Sequence, residues 1–466
     1  MNVTDDGDGS EMRFSSPVGR ERGRGVALQR RPGQLVIVGF VGAIAVGTLL
    51  LLLPISASGE PASFMEAVFT ATSAVCVTGL IVTDTPVFWS GFGEAVILVL
   101  IQIGGLGVMT VASLLGVLVT RRLDLSSRLV AAASTRTVGL GDVRRTLVRV
   151  VVIAFVVEAA AALVLTVRFA VAYDEPLGRA LWDGVFHAVS GYNNAGFALF
   201  STSLMDFVAD PWICLPIAVT TIVGGLGLPV ILELLREHRR PARWSVHTKI
   251  TLLMTGLLLV GGAGFFLVTE WDNAATMGTL DTGGRILASF TQSANARTAG
   301  FNSVNTGEMH TETWLGTIIL MFIGGGSAGT AGGIKVTTFA VLAVVIWSEL
   351  RGDPDASVFD RRISLATQRQ ALTVALLAVA IVVLPSLWMT ALSPFGVDQI
   401  LFEVTSAFTT TGLSTGITAQ LAWYHQAVLC VLMFIGRLGP ITLGTALVLR
   451  AHGRLYRRPE SAPIIG

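Results

Sequence analysis

Four short segments of this 466-residue chain share one pattern that suits the coordination of a dehydrated cation. In each segment a phenylalanine precedes a glycine by ten residues, and the residue directly before that glycine is small. The segments read FTATSAVCVTGL, FHAVSGYNNAGF, FTQSANARTAGF and FEVTSAFTTTGL, with their glycines at Gly79, Gly196, Gly300 and Gly412. Glycine reaches backbone angles that other residues avoid and leaves room for an ion. Rings of backbone carbonyls can replace the water shell of a monovalent cation.

We therefore predict that the backbone at and before the four glycines forms an ion-selective filter. The predicted filter residues are Val77, Thr78, Gly79, Asn194, Ala195, Gly196, Thr298, Ala299, Gly300, Thr410, Thr411 and Gly412. A single TGL or AGF would more simply serve close helix packing. Four copies in register, at intervals of 117, 104 and 112 residues, favour a shared function instead.

A second glycine motif follows each filter glycine, its first glycine lying 24 to 28 residues further on. It reads IGGLG, VGGLG, IGGGS and IGRLG in the four copies. This self-similarity predicts four copies of one unit, made of an outer helix, a short re-entrant helix, a glycine-bearing turn and an inner helix. A half-helix that stops inside the membrane points one end of its dipole at the centre. The irregular backbone after it is tolerated only where it is buried or lines a wet cavity.

The composition indicates an integral membrane protein, because 52% of the residues are hydrophobic and 14% are charged, against roughly a quarter charged in soluble domains. Eight stretches are long enough to span a bilayer, namely residues 35–53, 95–119, 150–167, 212–232, 250–269, 314–347, 371–392 and 426–449. The predicted fold is all-α, with eight transmembrane helices and four helix–re-entrant pore helix–helix repeats around a pseudo-fourfold central pore. Of the 32 lysines and arginines, 26 fall on one side of these spans, which predicts that both termini are cytoplasmic.

The pore repeats are expected at residues 35–122, 146–238, 246–350 and 367–452. The polar segments 1–34 and 453–466 are expected to be cytoplasmic tails, the first of them flexible. The three cysteines and six histidines are dispersed and suggest neither a disulfide framework nor a metal cluster. The basic loops follow from membrane topology, so no nucleic-acid partner is predicted.

The third inner helix is interrupted by the sequence MFIGGGSAGTAGGIKVTT at residues 321–338. Glycine within a helix costs about 1 kcal/mol relative to alanine, so this cluster is expected to break the helix. We predict an intramembrane gating loop at residues 324–333. The predicted gating residues are Gly324, Gly325, Gly326, Ser327, Gly329, Gly332, Gly333, Lys335 and Arg437. The competing interpretation is plain close packing between helices.

Charged residues inside predicted membrane segments are rare and usually functional. Arg437 replaces the second glycine of the inner-helix motif; it could form an electrostatic barrier beneath the filter, or an ion pair or carbonyl cap between helices. Lys335 could instead extend to the cytoplasmic interface. Arg297 would repel an ion, so it is predicted to brace the filter from behind. Glu158 is expected to hydrogen-bond a neighbouring helix, whereas Glu403 could supply negative potential at the outer mouth or brace its helix.

At these residues the sequence resembles the Trk/Ktr/HKT superfamily of potassium transporters, from about residue 35 to the C-terminus. VCVTGL, YNNAGF, ARTAGF and TTTGL look like its four filter sequences, and the eight-helix count is closest to the Ktr-type ion-translocating membrane subunit. In that family four filter glycines accompany a preference for potassium. The family also has an arginine in its last inner helix and an intramembrane loop in the third repeat, matching Arg437 and residues 324–333.

The resemblance further implies a plasma-membrane potassium uptake protein with no cofactor in this chain. The implied partners are membrane lipid, a second copy in a homodimer, and a cytoplasmic ring of RCK-type regulatory subunits that bind ATP or ADP. Activation by sodium is known among relatives and stays open here. One alternative is a secondary carrier for another small cation or solute, although such carriers typically use two repeats and a midplane pocket. An enzyme is not predicted, because no nucleophile, base or metal set clusters at membrane depth.

Overall fold

The computed structural model describes residues 32–123, 140–359 and 361–449, with side chains described within 36–110, 148–359 and 361–439. The predicted C-terminal tail, and all but the last three residues of the N-terminal tail, lie outside these ranges. Residues 124–139, part of the basic loop between the first two repeats, also lie outside them.

Each repeat contains the predicted outer, pore and inner helices in that order. The first repeat has α1 (Pro32–Leu51), α2 (Phe64–Cys76) and α3 (Gly91–Leu123). The second has α4 (Leu140–Ala172), α5 (Leu177–Tyr192), α6 (Pro211–Leu226) and α7 (Leu228–Glu237). The third has α8 (Val246–Thr269), α9 (Thr282–Asn295), α10 (Thr311–Ile323) and α11 (Val336–Arg351). The fourth has α12 (Leu365–Leu392), α13 (Val397–Thr409) and α14 (Trp423–Leu449).

Short elements connect these helices. One-turn helices lie at Thr85–Phe88, Pro54–Ser56, Met205–Phe207, Pro241–Arg243, Thr306–Glu308 and Thr418–Gln420. Strands β1 (Ser357–Val358) and β2 (Arg361–Arg362) pair antiparallel in a small hairpin between the third and fourth repeats. The chain therefore has the predicted all-α membrane architecture with this one minor addition.

Within the described part of the chain, four helices are long and apolar enough to cross a membrane. The qualifying stretches are Gly91–Thr110, Val148–Ala172, Val246–Thr269 and Leu365–Leu392. The second inner span, predicted as one helix over 212–232, is instead two helices, α6 and α7, bent by 98°. Gly227 lies at the bend with a φ of 90°, a conformation that glycine adopts readily. The third inner span is divided between α10 and α11, as the glycine cluster predicts.

The four pore helices are too short to cross a bilayer. They contain 13 to 16 residues, which at the rise of an α-helix gives about 20–24 Å against a hydrocarbon thickness of roughly 30 Å. The first begins with a capping box, in which the Ser63 hydroxyl accepts from the Glu66 amide and the Glu66 carboxylate accepts from the Ser63 amide. Phe69, Phe186 and Phe402, the first residues of three repeat patterns, are fully buried. The pore helices therefore form the centre of the protein, and the outer helices surround them.

Candidate functional site

The four predicted filter segments share one unusual backbone conformation. The residue two positions before each filter glycine has a positive φ: 55° at Val77, 57° at Asn194, 76° at Thr298 and 50° at Thr410. The glycines that follow also have positive φ, at 87°, 71°, 79° and 94°. Left-handed angles are uncommon for residues other than glycine. Four occurrences at equivalent positions show that the segments adopt the same specialised turn.

The recurring serine of the repeat fixes this turn to the end of its pore helix. In the first repeat the Ser73 carbonyl accepts from the Thr78 amide at 2.8 Å, and the Ser73 hydroxyl accepts from the Gly79 amide at 3.0 Å. The fourth repeat matches it, because the Ser406 hydroxyl accepts from the Gly412 amide at 3.0 Å. In the second repeat the serine carbonyl makes the equivalent bond, but its hydroxyl donates to the Phe197 carbonyl. The serine therefore has a structural role in holding the filter backbone.

The filter glycines pack against one another's segments in a closed ring. A Cβ atom built on each glycine would lie within 2.6 Å of the carbonyl oxygen that precedes the next filter glycine. The pairs are Gly79 with Ala195, Gly196 with Ala299, Gly300 with Thr411, and Gly412 with Thr78. The fourth segment thus contacts the first, which closes the ring. The structure therefore places all twelve predicted filter residues in one four-part ring, with no space for a side chain at any of its glycines.

The second glycine motif explains how the inner helices approach this ring. A Cβ atom on Gly104, Gly224 or Gly436 would overlap a backbone carbonyl oxygen of the same repeat. The three oxygens belong to Val75, Tyr192 and Phe408, each four residues before a filter glycine. In the third repeat the equivalent Gly324 faces the Gly332 carbonyl instead. That repeat differs because its chain leaves the helix at this point.

The predicted gating loop lies in the bend between α6 and α7. The Gly326 amide donates to the Gly225 carbonyl at 2.8 Å, and the Thr330 amide donates to the Gly224 carbonyl at 3.0 Å. In return, the Leu228 amide donates to the Ala328 carbonyl at 3.3 Å. These bonds satisfy backbone groups that would otherwise be unpaired at the broken helix ends. The bend in the second repeat and the loop of the third therefore support each other.

The same loop also contacts the filter segments. The Thr330 hydroxyl lies 2.8 Å from the Asn194 side-chain oxygen. The Gly332 amide donates to the Thr298 hydroxyl at 3.0 Å, and a Cβ atom on Gly332 would overlap the Thr409 carbonyl. The loop thus touches the second, third and fourth repeats directly at their filter segments or pore-helix ends.

Two basic side chains hold the loop through its backbone carbonyls. Arg437, only 3% exposed, donates from Nη1 to the Thr330 carbonyl. Its Nε and Nη2 have no hydrogen-bond partner among the described residues. Lys335 donates to the Ala331 carbonyl and directly precedes α11. Arg437 therefore makes the contact of the carbonyl-cap interpretation, and the carbonyl that it caps belongs to the predicted gate.

Arg297 connects the third filter segment to the outer helix and the loop. Its guanidinium is buried and donates to the Thr255 carbonyl of α8 at 3.2 Å. A second nitrogen lies 3.4 Å from the carbonyl of Gly324, where the loop begins. All of these partners are outside the filter segment itself, which supports the predicted bracing function.

The two carboxylates singled out in the sequence make different contacts. Glu158 hydrogen-bonds to Gln102 of the neighbouring helix α3, as expected. Glu403 accepts from the Thr415 amide at 2.8 Å and from the Thr418 hydroxyl at 2.7 Å. It therefore braces the segment that follows the fourth filter glycine. Sequence reasoning misses Gln102, because a single polar residue in an apolar, glycine-rich helix does not form a recurring pattern.

Comparison with known proteins agrees with this architecture. Residues 29–452 match the TrkH family model, described as cation transport protein. The Ktr system potassium uptake protein B of Vibrio alginolyticus is 38% identical over 435 residues, covering 93% of this chain and 94% of that protein. The potassium/sodium uptake protein NtpJ of Enterococcus hirae is 36% identical over 444 residues, covering 93% and 97%.

A solved structure has the same fold. The potassium transporter TrkH from Vibrio parahaemolyticus superposes with a TM-score of 0.68 at 17% identity, covering 90% of this chain and 84% of that one. At this identity the likeness concerns the arrangement of the helices. It confirms the membrane transporter fold predicted from the fourfold repeat.

Proposed function

The chain belongs to the TrkH family of cation transport proteins, and from this premise we propose that it takes up potassium across the plasma membrane through its ring of filter segments. It is a membrane transport protein and not an enzyme, in keeping with its relatives. Two similar proteins are named for potassium uptake, and a third for potassium and sodium. These names support potassium as the transported ion and sodium as an activating or second ion.

The closed contact ring of the four filter glycines is the observation that supports this function best. Each pore helix ends at the ring, so the negative ends of four helix dipoles point towards it. Carbonyl oxygens and helix C-termini together favour a cation without any carboxylate ligand. The ring has one axis and four inequivalent sides, which favours an axial ion path over the midplane pocket of a secondary carrier.

The loop at residues 324–333 is the gate in this proposal. It is bonded to the bend of the second repeat and to filter residues Asn194 and Thr298. Arg437 adds a buried positive charge bonded to the loop carbonyl of Thr330, which would oppose the passage of a cation. Opening would require the loop to give up these bonds and move away from the filter.

Regulation would come from outside this chain. We place both termini in the cytoplasm, because 26 of the 32 basic residues lie on that side. Two copies would form a homodimer, with one pore in each chain and membrane lipid around the outer helices. A cytoplasmic ring of RCK-type subunits would bind ATP or ADP and act on the gate.

Complementation tests the proposed function. The full chain is expressed in a bacterium that lacks potassium uptake, at low external potassium, with and without an RCK-type subunit. Growth is expected with the wild-type chain and should be weaker with Gly79→Ser, while immunoblots of membranes show equal amounts of both proteins. Failure of the membrane-inserted wild-type chain to support growth under either condition would contradict the proposal.

A further inference from the structure

A buried carboxylate lies behind the second filter segment in a closed network of three side chains. Glu158, in α4, is 4% exposed, and both of its oxygens accept from Gln102 Nε2 at 3.1 Å. Asn193 Nδ2 lies 3.2 Å from Glu158 Oε1 and 2.7 Å from Gln102 Oε1. The three residues come from three different helical segments: α4, α3 and the end of α5. The network therefore joins the outer helix of the second repeat, the inner helix of the first, and the second pore helix.

Burial of the Glu158 side chain costs free energy unless its polar atoms are hydrogen-bonded. It lies within a membrane-crossing stretch, Val148–Ala172, where ionisable residues are rare and usually functional. No lysine, arginine or histidine in the described part of the chain pairs with it. Both of its oxygens accept hydrogen bonds from side-chain amides. Gln102 and Asn193 thus hold this carboxyl group in place.

Asn193 transmits this contact to the filter. It immediately precedes Asn194, the left-handed residue of the second filter segment. Gly105, the second glycine of the first inner-helix motif, makes room for it, since a Cβ there would overlap Asn193 Oδ1. The next residue, Asn194, accepts from the Thr330 hydroxyl of the predicted gating loop. Two consecutive residues are therefore held by different elements, Asn193 by the carboxylate network and Asn194 by the predicted gating loop.

The position three residues before the filter glycine differs among the four repeats. It is Cys76, Asn193, Arg297 and Thr409 in chain order. Asn193 contacts a carboxylate on the outer helix of its own repeat, whereas Arg297 places a guanidinium against the equivalent helix α8. The second and third filter segments are thus each joined to the outer helix of their own repeat, one through a carboxylate and the other through a guanidinium.

We propose that Glu158 is a positioning residue for ion selection: through Gln102 and Asn193, its carboxylate holds the second filter segment in its left-handed conformation. This inference rests on the proposed potassium uptake. Loss of the charge would let the second segment relax, and the ring would then discriminate less between potassium and sodium.

The test compares potassium and sodium uptake into proteoliposomes that contain the purified full-length protein. Glu158→Gln keeps the side-chain volume but removes the charge and sets an amide against amide donors. We expect the potassium-to-sodium uptake ratio to fall about tenfold, the scale of one lost charge-assisted hydrogen bond. Glu158→Asp keeps the charge and is expected to restore part of the ratio.

Glu270→Gln is the matched control. Glu270 is also a fully buried carboxylate, but its partners are Asn273, Thr276, His310 and Thr313, none of them in a filter segment. This variant is expected to lower the amount of folded protein without changing the ion ratio. An unchanged ratio in Glu158→Gln, or an equal fall in Glu270→Gln, would overturn the inference.

Gln102→Met covers the case in which Glu158→Gln gives no folded protein. It removes both bonds from Gln102 to the carboxylate and leaves the charge in place, and it is expected to lower the ratio as well. A wild-type ratio in Gln102→Met would then overturn the inference. Potassium uptake by the wild-type protein in the same vesicles tests the proposed function separately, so the two failures can be told apart.

Discussion

Gly412 packs against the carbonyl oxygen of Thr78, and this contact joins the last filter segment to the first. The two residues belong to the first and fourth repeats, so they meet only because the four repeats surround one axis. The two segments are closely packed at this point, because a Cβ on Gly412 would overlap that oxygen. The distance between neighbouring segments is therefore set by the absence of side chains at the four glycines.

Replacement of Gly79 by serine is expected to weaken the discrimination between potassium and sodium. The new Cβ would overlap the Ala195 carbonyl oxygen, and the φ of 87° at this position is unfavourable for any side chain. The first two segments must then move apart, which changes the spacing of the carbonyl ligands. We expect the potassium-to-sodium uptake ratio to fall about tenfold or more, equivalent to ~1.4 kcal/mol of lost discrimination.

Competition between the two ions in uptake assays measures this ratio. Gly256→Ser in α8 is the control, because nothing lies within 4 Å of a Cβ built on Gly256. That variant should keep the wild-type ratio. Wild-type selectivity in Gly79→Ser would remove the basis for assigning the filter to these residues.

Loss of the Arg437 side chain is expected to raise ion flux. Arg437→Ala removes both the buried positive charge and the hydrogen bond to the Thr330 carbonyl. Because a charge-assisted hydrogen bond contributes about 1.5–3 kcal/mol, the closed loop should become at least tenfold less favoured. Initial rates of potassium uptake in cells report the change.

Arg437→Lys separates the two effects, since it keeps the charge with different geometry. A raised flux in this variant as well would identify the hydrogen bond as the main restraint. If Arg437→Ala instead lowers the amount of folded protein and flux per folded molecule does not rise, the side chain only joins helices.

The fourfold set of glycine turns could be predicted from sequence because each of its four glycine positions restricts residue type for a local physical reason. The glycines have positive φ and face a neighbouring carbonyl, so no other residue type suits Gly79 or its three equivalents. The pore helices were equally recognisable, since each is an apolar segment too short to span the bilayer and each precedes one of the four repeated glycines.

The bend of the second inner helix could not be predicted in the same way. VGGLG in α6 and IGGLG in α3 have the same pattern of residues, yet α3 continues through Gly107 whereas the chain bends by 98° at Gly227. The difference comes from the loop of another repeat, whose Ser327 carbonyl lies against Gly227. The hydrogen bond from Arg437 to the Thr330 carbonyl could not be predicted either, because the two residues are 107 positions apart in the chain.

Thr330→Val is expected to open the gate partially. Valine has a similar shape but no hydroxyl, so the contacts with the Tyr192 carbonyl and the Asn194 side chain are lost. The backbone bonds of the loop remain, and a severalfold rise in potassium flux is therefore expected, smaller than that of Arg437→Ala. Thr317→Val is the control, because the buried Thr317 hydroxyl donates to the Thr313 carbonyl, one turn earlier in α10.

Deletion of residues 325–332 tests the proposed gate by removing most of the loop. It removes the Gly326 and Thr330 amides that bond to the second repeat, and a leaky, faster pore is expected in flux assays. A deleted protein that is folded but transports at the wild-type rate, or not at all, would count against a gate at this position.

Gly104→Ala is expected to destabilise the protein even though alanine is the better helix former. The added methyl group would overlap the Val75 carbonyl at the end of the first pore helix, and overpacking of this kind costs about 1–3 kcal/mol or more. Gly107→Ala, one turn further along α3, is the matched control, because its nearest neighbour is the Phe40 ring at 3.7 Å. The fraction of monodisperse detergent-solubilised protein left after heating compares the two variants. Gly104→Ala should aggregate at a lower temperature than wild type, and Gly107→Ala at the same or a higher one. Equal behaviour of the two would show that the inner-helix motif is not needed for close approach to the pore helix.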